Sequence, residues 1–268
     1  MNSQVPKRLS KILVSLYRIF SLLLFDIRLL ISRWRGIPYF IRTIFEYRQQ
    51  QTSKSSFNIT IRSLQPVLHE RFEEAGTARG HYFWQDLWAF EYLQAKTISK
   101  IVDVGSRIDG YIAHLLPTTE VTYIDVRKIP KFHPNFFPRK GSILDLPFAD
   151  RSVRNVSCLH VIEHIGLGRY GDDVDPHGHV KGIGELKRIT APGGRVIIGV
   201  PVGVERLAFN AHRIFKPQTV IDYFKPFKLE EFSLIDDRGD CVIKNASLDI
   251  AATCDYGCGL FVFVNDEL

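Results

Sequence analysis

A short apolar run that ends at a glycine, Ile101-Val-Asp-Val-Gly105, constrains the fold of this chain more than any other feature. It opens an alternating series of strand-like and helix-like segments. Strands are predicted over 100–104, 120–125, 153–160 and 195–201, and helices over 110–116 and 181–190. Such alternation is typical of a parallel sheet with helices on both faces, and two later β-rich segments, 229–235 and 259–264, are expected to add an antiparallel edge. The sequence therefore predicts an α/β fold with a doubly wound, mostly parallel sheet.

The net positive charge of the chain comes from its N-terminal segment. The whole chain has a formal net charge of +6, yet residues 1–50 alone carry nine basic and two acidic side chains. The remaining body is close to neutral, which argues against a nucleic-acid-binding surface. Three parts are expected: a basic amphipathic helical arm over 1–48, a polar linker over 49–57, and the α/β domain over 58–268, which begins with further predicted helices at 64–75 and 81–97.

Apolar residues recur at helical spacing from Leu9 to Ile31. The longest uncharged run there, Ile19 to Phe25, is seven residues, far below the roughly 18 to 20 that span a bilayer. A helix lying on an anionic membrane surface is favoured, while a helix docked on the domain or on a second copy of it, and a marginal span, stay open. Four cysteines form no dense disulfide framework, so a cytoplasmic protein at the inner face of the membrane is expected.

Residues with functional chemistry fall just after predicted strands, which is where ligands bind in open α/β sheets. Gly105 follows the first strand and lets the backbone approach a ligand closely. Asp125 ends the second strand, where an acid can accept both hydroxyls of a ribose. Each signal alone is weak, because an ordinary solvated turn would look the same.

Several segments occur in an order that resembles the small-molecule class I S-adenosylmethionine-dependent methyltransferases (type 11-like), over roughly residues 98–202. They are D-V-G at 103–105, the strand-end Asp125, L-P-F-A-D-R-S-V from Leu146, H-V-I-E-H from His160, and E-L-K-R-I-T-A-P-G-G-R-V-I-I from Glu185. Three stretches, V-G-S-R-I-D-G, H-I-G-L-G-R-Y-G-D and F-N-A-H-R-I-F, are similar to a family of uncharacterised proteins within that fold, DUF268.

This resemblance implies a Rossmann-like methyltransferase fold with an N-terminal helical extension, and S-adenosylmethionine as the cofactor. The cofactor-binding residues that it implies are Asp103, Gly105 and Ser106 at the glycine turn, with Gly105 backing the methionine moiety; Asp125 at the ribose; Ser142 and Ile143 beside the adenine; and His160 over the cofactor.

The chain departs from the family pattern at the glycine turn. Where the pattern is G-x-G-x-G, Arg107 and Asp109 replace the second and third glycines, and Gly110 comes one position late. Ser142 stands where an acid usually follows the glycine before the L-P-F run. The cofactor is therefore expected either to bind in a changed geometry or not to bind.

Two polar segments are candidates for the reaction and the substrate. In the loop from Gly168, His177 or His179 could act as a general base. Asp175, or else Asp172 or Asp173, would orient it, although a hydrated surface loop would carry the same residues. Beyond the strand at 195–201, Asn210, His212 and Arg213 are predicted to hold a polar or anionic substrate, with a structural turn as the alternative.

No metal site is predicted. His160-Val-Ile-Glu-His164 matches the H-x-x-E-H pattern of zinc hydrolases, but that chemistry needs both histidines on one face of a helix and a third ligand. Cys254 and Cys258 are separated by three residues, and no further ligand pair has matching spacing, so two unpaired thiols are expected.

The leading hypothesis is an S-adenosylmethionine-dependent methyltransferase that acts on a small-molecule or glycan substrate and is held at the membrane by residues 1–48. A membrane-associated or activated sugar is the substrate that the basic segment suggests. The rival, motivated by Arg107 and Asp109, is a methyltransferase-fold protein that has lost catalysis and serves as a binding or scaffold subunit.

Overall fold

The computed structural model describes residues 27–51, 58–72 and 76–266. The chain divides into two compact units, Met1–Thr77 and Ala78–Leu268. The division therefore falls 20 residues after the boundary at 57 that the sequence suggested.

The first unit contains one long helix, α1, at Ile27–Gln50, and two 3₁₀ turns at Ile61–Ser63 and Glu70–Phe72. Most of the predicted 9–31 helix lies outside the described residues. The helix predicted over 64–75 is not formed in the part of it that the structure describes, because Pro66 cannot donate a backbone hydrogen bond and disfavours helical geometry at the residue before it. Gly36 lets this segment approach α1: a Cβ there would lie 1.9 Å from the Leu68 carbonyl oxygen.

The second unit is built on a sheet. Its strands are β1 Lys100–Val104, β2 Glu120–Asp125, β3 Phe136–Lys140, β4 Val153–Leu159, β5 Thr190–Val202, β8 Lys228–Ile235, β9 Ile243–Lys244 and β10 Gly257–Val264, and a separate hairpin consists of β6 Arg206–Ala208 and β7 His212–Ile214. The strand order is β3-β2-β1-β4-β5-β10-β8-β9. Strands β1 to β5 pair in parallel, and β10 is antiparallel to both β5 and β8. The predicted doubly wound, mostly parallel sheet with an antiparallel edge is confirmed.

Helices accompany the strands. They are α2 His81–Ala95; α3, a π-helical turn Ile108–Ile112 continued by Ala113–Leu115; α4 Gly178–Ile189; α5 Pro217–Phe224; and α6 Leu248–Ala252. The predicted helix at 110–116 thus begins two residues early, in a wider π turn.

Two apolar clusters cover the sheet, one on each face. Val102 of β1 belongs to the cluster that contains Leu186 of α4 and Phe224 of α5, whereas its neighbour Ile101 belongs to the cluster with Leu93 of α2. Successive strand residues point to opposite faces, so an uninterrupted apolar strand requires cover on both sides.

Strand β5 is longer than predicted. Helix α4 ends at Ile189, and the Pro192-Gly193-Gly194 segment that was expected to end it lies inside the strand. A register shift in the β4–β5 pairing accommodates it, and the Gly193 N–H donates to the Asn265 carbonyl at 2.6 Å. Sequence reasoning reads Pro-Gly-Gly as a break, whereas here the sheet supplies partners for its backbone.

Candidate functional site

The order of the sheet reverses between β1 and β4, and the crevice at such a point is where α/β proteins bind ligands. Four segments leave the sheet at this carboxyl edge: the glycine turn after β1, Asp125 at the end of β2, the loop after β3, and His160 after β4. Strand β10 runs the other way, so its first residues, beginning at Gly257, lie at the same edge.

Gly105 has a positive φ of 73°, a conformation that favours glycine. Its N–H donates to the Ile124 carbonyl at 2.9 Å, which ties the glycine turn to β2. A Cβ at this position would lie 3.1 Å from the Val161 side chain. The turn is therefore closely packed on its β4 side.

Arg107 and Asp109, which replace the two glycines of the family pattern, pair with each other in a bidentate arrangement, with N–O distances of 3.0 and 2.6 Å. Both side chains are largely exposed, and the Arg107 guanidinium lies over the Tyr82 ring. The turn therefore accommodates these side chains by directing them outward.

Close packing against α2 requires a glycine at position 110, one place later than in the family pattern. A Cβ there would lie 2.1 Å from a carboxylate oxygen of Asp86 on α2. The Ile112 N–H donates to the Arg107 carbonyl at 3.3 Å. This five-residue step makes the turn a π turn, whose one extra residue matches the position of the glycine one place later than in the family pattern.

Asp103 is fully buried beneath the turn. Its carboxylate accepts the Ser106 N–H at 3.0 Å and hydroxyl hydrogens from Ser106 and Ser157, each at 2.6 Å. Burial raises the pKa of Asp103 to about 7, and these hydrogen bonds only partly oppose the effect. Asp103 and Ser106, predicted as cofactor-binding residues, thus have side chains engaged in holding the turn.

Asp125 ends β2 as predicted, and its carboxylate is engaged by Arg127. The Arg127 Nε and Nη2 atoms lie 2.8 and 2.7 Å from the two carboxylate oxygens, and the Arg127 backbone N–H donates at 2.8 Å. Burial acts to raise the pKa of Asp125, but the hydrogen bonds and charge of Arg127 outweigh it, and the pKa is lowered. The carboxylate is therefore ionised, as ribose binding requires.

Tyr123 connects this acid to the glycine turn. Its hydroxyl lies 2.8 Å from the Ser106 carbonyl oxygen and 3.3 Å from Asp125 Oδ2. The two elements predicted to contact different ends of the cofactor are thus held in a fixed relationship by one buried side chain.

Ser142 and Ile143 have different environments. Ser142 is half-buried, and its hydroxyl accepts the Leu144 N–H at 3.1 Å. The Ile143 side chain is buried in the core, where a Cβ on Gly182 of α4 would approach it to 3.3 Å. That Ser142 and Ile143 flank an adenine stays a prediction, and because α4 covers the Ile143 side chain, Ile143 would do so through its backbone.

His160 follows β4 with a positive φ of 53° and a buried side chain. Its Nδ1 lies 2.6 Å from Glu163 Oε1, and its Nε2 lies 3.6 Å from Cys258 Sγ. The His81 ring stacks on the imidazole at 5.3 Å, and the Tyr82 ring lies at 5.0 Å. His160, predicted to lie over the cofactor, is in this structure covered by α2.

The H-x-x-E-H segment does not form the helix that a zinc-hydrolase motif needs. Only a 3₁₀ turn, Ile162–His164, follows His160, and the His164 Nδ1 bonds the Ala211 carbonyl at 2.7 Å. The two histidines therefore do not act as an i, i+4 ligand pair on one helix face.

Of the predicted catalytic residues His177, His179 and Asp175, His179 lines a cavity. His177 is exposed at the start of α4, and the Asp175 carboxylate accepts the His177 backbone N–H at 2.9 Å and pairs with Lys181. His179 is buried, and burial lowers its pKa to about 4. The Asp175 carboxylate, predicted to orient an imidazole, binds a backbone N–H and a lysine in this structure.

A cavity of about 340 Å³ lies beside His179. The predicted substrate residue Arg213 lines it, together with Phe209, Phe215 and Tyr223. The buried Nδ1 of His179 has no hydrogen-bond partner among the described residues. The cavity is therefore lined by a histidine with a lowered pKa and by an arginine, among mostly apolar residues.

The side chains of the three predicted substrate residues lie in different places. Asn210 is exposed in the turn between β6 and β7. His212 lies against Tyr256, with ring centroids 5.0 Å apart, whereas the next residue, Arg213, donates to the Ile165 carbonyl at 2.7 Å. Neighbouring residues of a strand face opposite sides, which separates His212 from Arg213.

Sequence reasoning missed His81, Arg127, Tyr256 and Cys258 at this edge. Arg127 follows Asp125 by two residues, the spacing at which an Asp side chain commonly accepts a backbone N–H, so this partner was detectable. His81 and Cys258 come from opposite ends of the second unit, and no local pattern marks them.

Comparisons with known proteins agree with this architecture. Residues 148–237 match the model of a family described as Caenorhabditis protein of unknown function, DUF268. No curated protein matches the chain.

Solved structures resemble a larger part of the chain than the family model does. The Burkholderia thailandensis 1,6-didemethyltoxoflavin-N1-methyltransferase, solved with S-adenosylhomocysteine, is 14% identical, with a TM-score of 0.50 over 68% of this chain and 79% of that chain. The N-methyltransferase NodS from Bradyrhizobium japonicum is 16% identical (TM-score 0.45; 67% and 85% covered), and a putative methyltransferase from Bacillus halodurans is 14% identical (TM-score 0.48; 68% and 99% covered).

The strand order, the antiparallel β10 and the likeness to the Burkholderia enzyme lead to one conclusion. The second unit has the fold of the class I S-adenosylmethionine-dependent methyltransferases, and the DUF268 match lies within it.

Proposed function

We propose that this protein is an S-adenosylmethionine-dependent methyltransferase. The observation that carries the proposal is the link that Tyr123 makes between Ser106 in the glycine turn and Asp125 at the end of β2. It fixes a close-approach backbone turn and an ionised carboxylate at one crevice, the pair of features that an adenosyl cofactor needs.

The residues fit the cofactor on the ribose side. The Asp125 carboxylate is 5% exposed, whereas the Arg127 side chain that pairs with it is 71% exposed. Arg127 can therefore leave the carboxylate without disturbing the core, and the carboxylate oxygens can then accept the two ribose hydroxyls.

The bound cofactor would supply an electrophilic methyl group on a sulfonium sulfur. The chain's contribution is to position the acceptor and to take up its proton. We propose His179 as the base, because burial keeps its imidazole neutral and its side chain lines the 340 Å³ cavity. Arg213 in the same wall would hold a polar group of the substrate.

We propose a small-molecule or sugar-type substrate that is associated with an anionic membrane at its cytoplasmic face. The support is helix α1, on which Ile31, Trp34, Ile41 and Phe45 recur at helical spacing and are exposed. Arginines flank this apolar stripe, for example Arg42. Aromatic and apolar side chains flanked by arginine are typical of helices that lie in the headgroup region. No helix among the described residues is long and apolar enough to cross a membrane.

The membrane proposal is tested by flotation of the full chain with vesicles of phosphatidylcholine alone or mixed with phosphatidylserine. We expect binding only to the anionic vesicles, and expect W34E with F45E to abolish it, because both substitutions place charge in the apolar stripe. The matched control, E46Q on the same helix, should leave binding intact. Equal flotation of the double variant would contradict the proposal.

The scaffold alternative keeps one supporting observation, because the Asp109 and Asp125 carboxylates at the crevice are already paired with Arg107 and Arg127. Calorimetric titration of the full chain with S-adenosylmethionine and S-adenosylhomocysteine separates the two. The enzyme proposal expects saturable one-site binding of both. Failure of the folded protein to bind either would favour the scaffold.

A further inference from the structure

Three residues from distant parts of the chain bring metal-ligating atoms together at the carboxyl edge of the sheet. His81 begins α2, His160 follows β4, and Cys258 is the second residue of β10. One ring nitrogen from each histidine and the Cys258 Sγ lie within 4.8 Å of one another. We call these three residues the His₂Cys cluster.

The separation inside the cluster matches zinc geometry. A Zn–S bond of about 2.3 Å and a Zn–N bond of about 2.0–2.1 Å at a tetrahedral angle place sulfur and nitrogen about 3.5 Å apart. The Cys258 Sγ and His160 Nε2 atoms are 3.6 Å apart. This pair is thus already at coordination distance, and only His81 has to move closer.

Both histidines are oriented as metal ligands usually are. A ligating imidazole donates its other N–H to a carboxylate or a backbone carbonyl, which fixes the tautomer and the ring orientation. The His160 Nδ1 bonds the fully buried Glu163 carboxylate at 2.6 Å, and the His81 Nε2 bonds the Tyr256 carbonyl at 3.1 Å. Each ring therefore has its second nitrogen available for the cluster, and for His160 this nitrogen already faces the Cys258 Sγ at 3.6 Å.

Burial and access also suit an ion. Cys258 and His160 are buried, whereas His81 is half-buried and Tyr256 beside it is exposed, so an ion can enter from the His81 side. All four cysteines of the chain are free, so the Cys258 thiol is available to lose its proton to a metal. One carboxylate oxygen, Glu163 Oε2, is buried with no hydrogen-bond partner among the described residues, an arrangement that nearby positive charge would stabilise.

We propose that His81, His160 and Cys258 bind one zinc ion, with Glu163 and the Tyr256 carbonyl orienting the two histidines. Three protein ligands leave the fourth tetrahedral position for water or for an oxygen or nitrogen of a substrate, the arrangement of catalytic rather than structural zinc. On binding, the Cys258 thiol releases its proton to solvent and the sulfur becomes a thiolate ligand. The proposal does not rest on methyltransferase activity, because the zinc ligands are identified by their own geometry; one of them, His160, is also a residue that the resemblance places over the cofactor.

The test uses the full chain, freed of metal with a chelator and titrated with Zn²⁺ and Co²⁺. We expect one ion per chain, and a thiolate-to-cobalt charge-transfer absorption for the Co²⁺ form. C258S should remove that absorption, and H81Q, at a half-buried helix start where folding is not at risk, should weaken Zn²⁺ binding more than about 100-fold. E163Q, which alters only an orienting residue, should weaken it by about 10- to 100-fold.

Two matched controls define the outcome. C241S removes an exposed thiol and H133Q an unrelated histidine, and both should bind as the parent does. The proposal is overturned if the folded parent binds no Zn²⁺, if C258S keeps the charge-transfer absorption, or if C241S rather than C258S abolishes it. Unchanged Zn²⁺ affinity in H81Q would equally overturn it, because the third ligand would then lie elsewhere.

Discussion

The Arg127 guanidinium binds both oxygens of the Asp125 carboxylate, at 2.8 and 2.7 Å, while the Arg127 backbone N–H donates to the same group. The acid that the sequence assigns to a ribose is thus already paired by its own neighbour. Ligand binding at this acid is an exchange of one set of hydrogen bonds for another.

Removing the competing side chain should therefore help the ligand. We predict that R127A binds S-adenosylhomocysteine up to about fivefold more tightly than the parent, since an ion pair whose cation is exposed to solvent contributes about 1 kcal/mol. Calorimetric titration measures the change, with K128A, also exposed, as the control. A clear loss of affinity in R127A would mean that Arg127 contacts the ligand instead of competing with it.

Gly110, the late glycine of the turn, gives a prediction about stability. A Cβ at Gly110 would lie 2.1 Å from Asp86 Oδ2. G110A should therefore lower the free energy of unfolding by about 1–3 kcal/mol, the usual cost of overpacking. Urea denaturation measures it.

The matched control is Gly184, in α4, where an added Cβ meets nothing within 4 Å. G184A should raise the free energy of unfolding by about 0.5–1 kcal/mol, because alanine is the better helix former. Equal stabilities for the two variants would contradict the packing account of the turn.

Asp103 gives a prediction for pH dependence. Its pKa is about 7 in the folded protein, against about 3.9 for an unfolded aspartate. An acid whose pKa is raised by folding binds more protons in the folded state, so its stabilising contribution is complete below pH 4 and is lost as pH rises to 7.

Replacing Asp103 with asparagine removes this titration. D103N should flatten the decline in the free energy of unfolding between pH 4 and 7, which for a shift of this size is roughly 4 kcal/mol. Asp86, whose pKa burial raises to about 6, keeps a smaller decline of the same sign. Urea denaturation across this pH range measures it. An unchanged slope in D103N would show that Asp103 is ionised at lower pH.

The sequence predicts the strands and the fold class well where the hydrophobic periodicity is strong. Strand β2 has the predicted bounds, 120–125, and the DUF268 and methyltransferase resemblances are confirmed for the fold. Strand β3, Phe136–Lys140, was missed because its proline and two basic residues suit only an edge position, which it has.

The site was predicted only in part, for a physical reason. Gly105 and Asp125 are marked by their positions at strand ends. The partners of His160 come from α2 and β10, and they contact it only in the assembled fold. Local patterns likewise gave no sign that α4 would bury Ile143.

The central claim is that an adenosyl ligand binds at the carboxylate that ends β2, and one comparison tests it most directly. The full chain, D125N and E120Q are titrated with S-adenosylmethionine in a calorimeter. Glu120 begins the strand that Asp125 ends, so E120Q changes an acid on the same strand at the opposite edge of the sheet.

We predict that E120Q binds as the parent does and that D125N binds roughly 10- to 100-fold more weakly, the loss expected for hydrogen bonds to a charged acceptor. Unchanged affinity in D125N, or an absence of binding by the folded parent, would contradict the account.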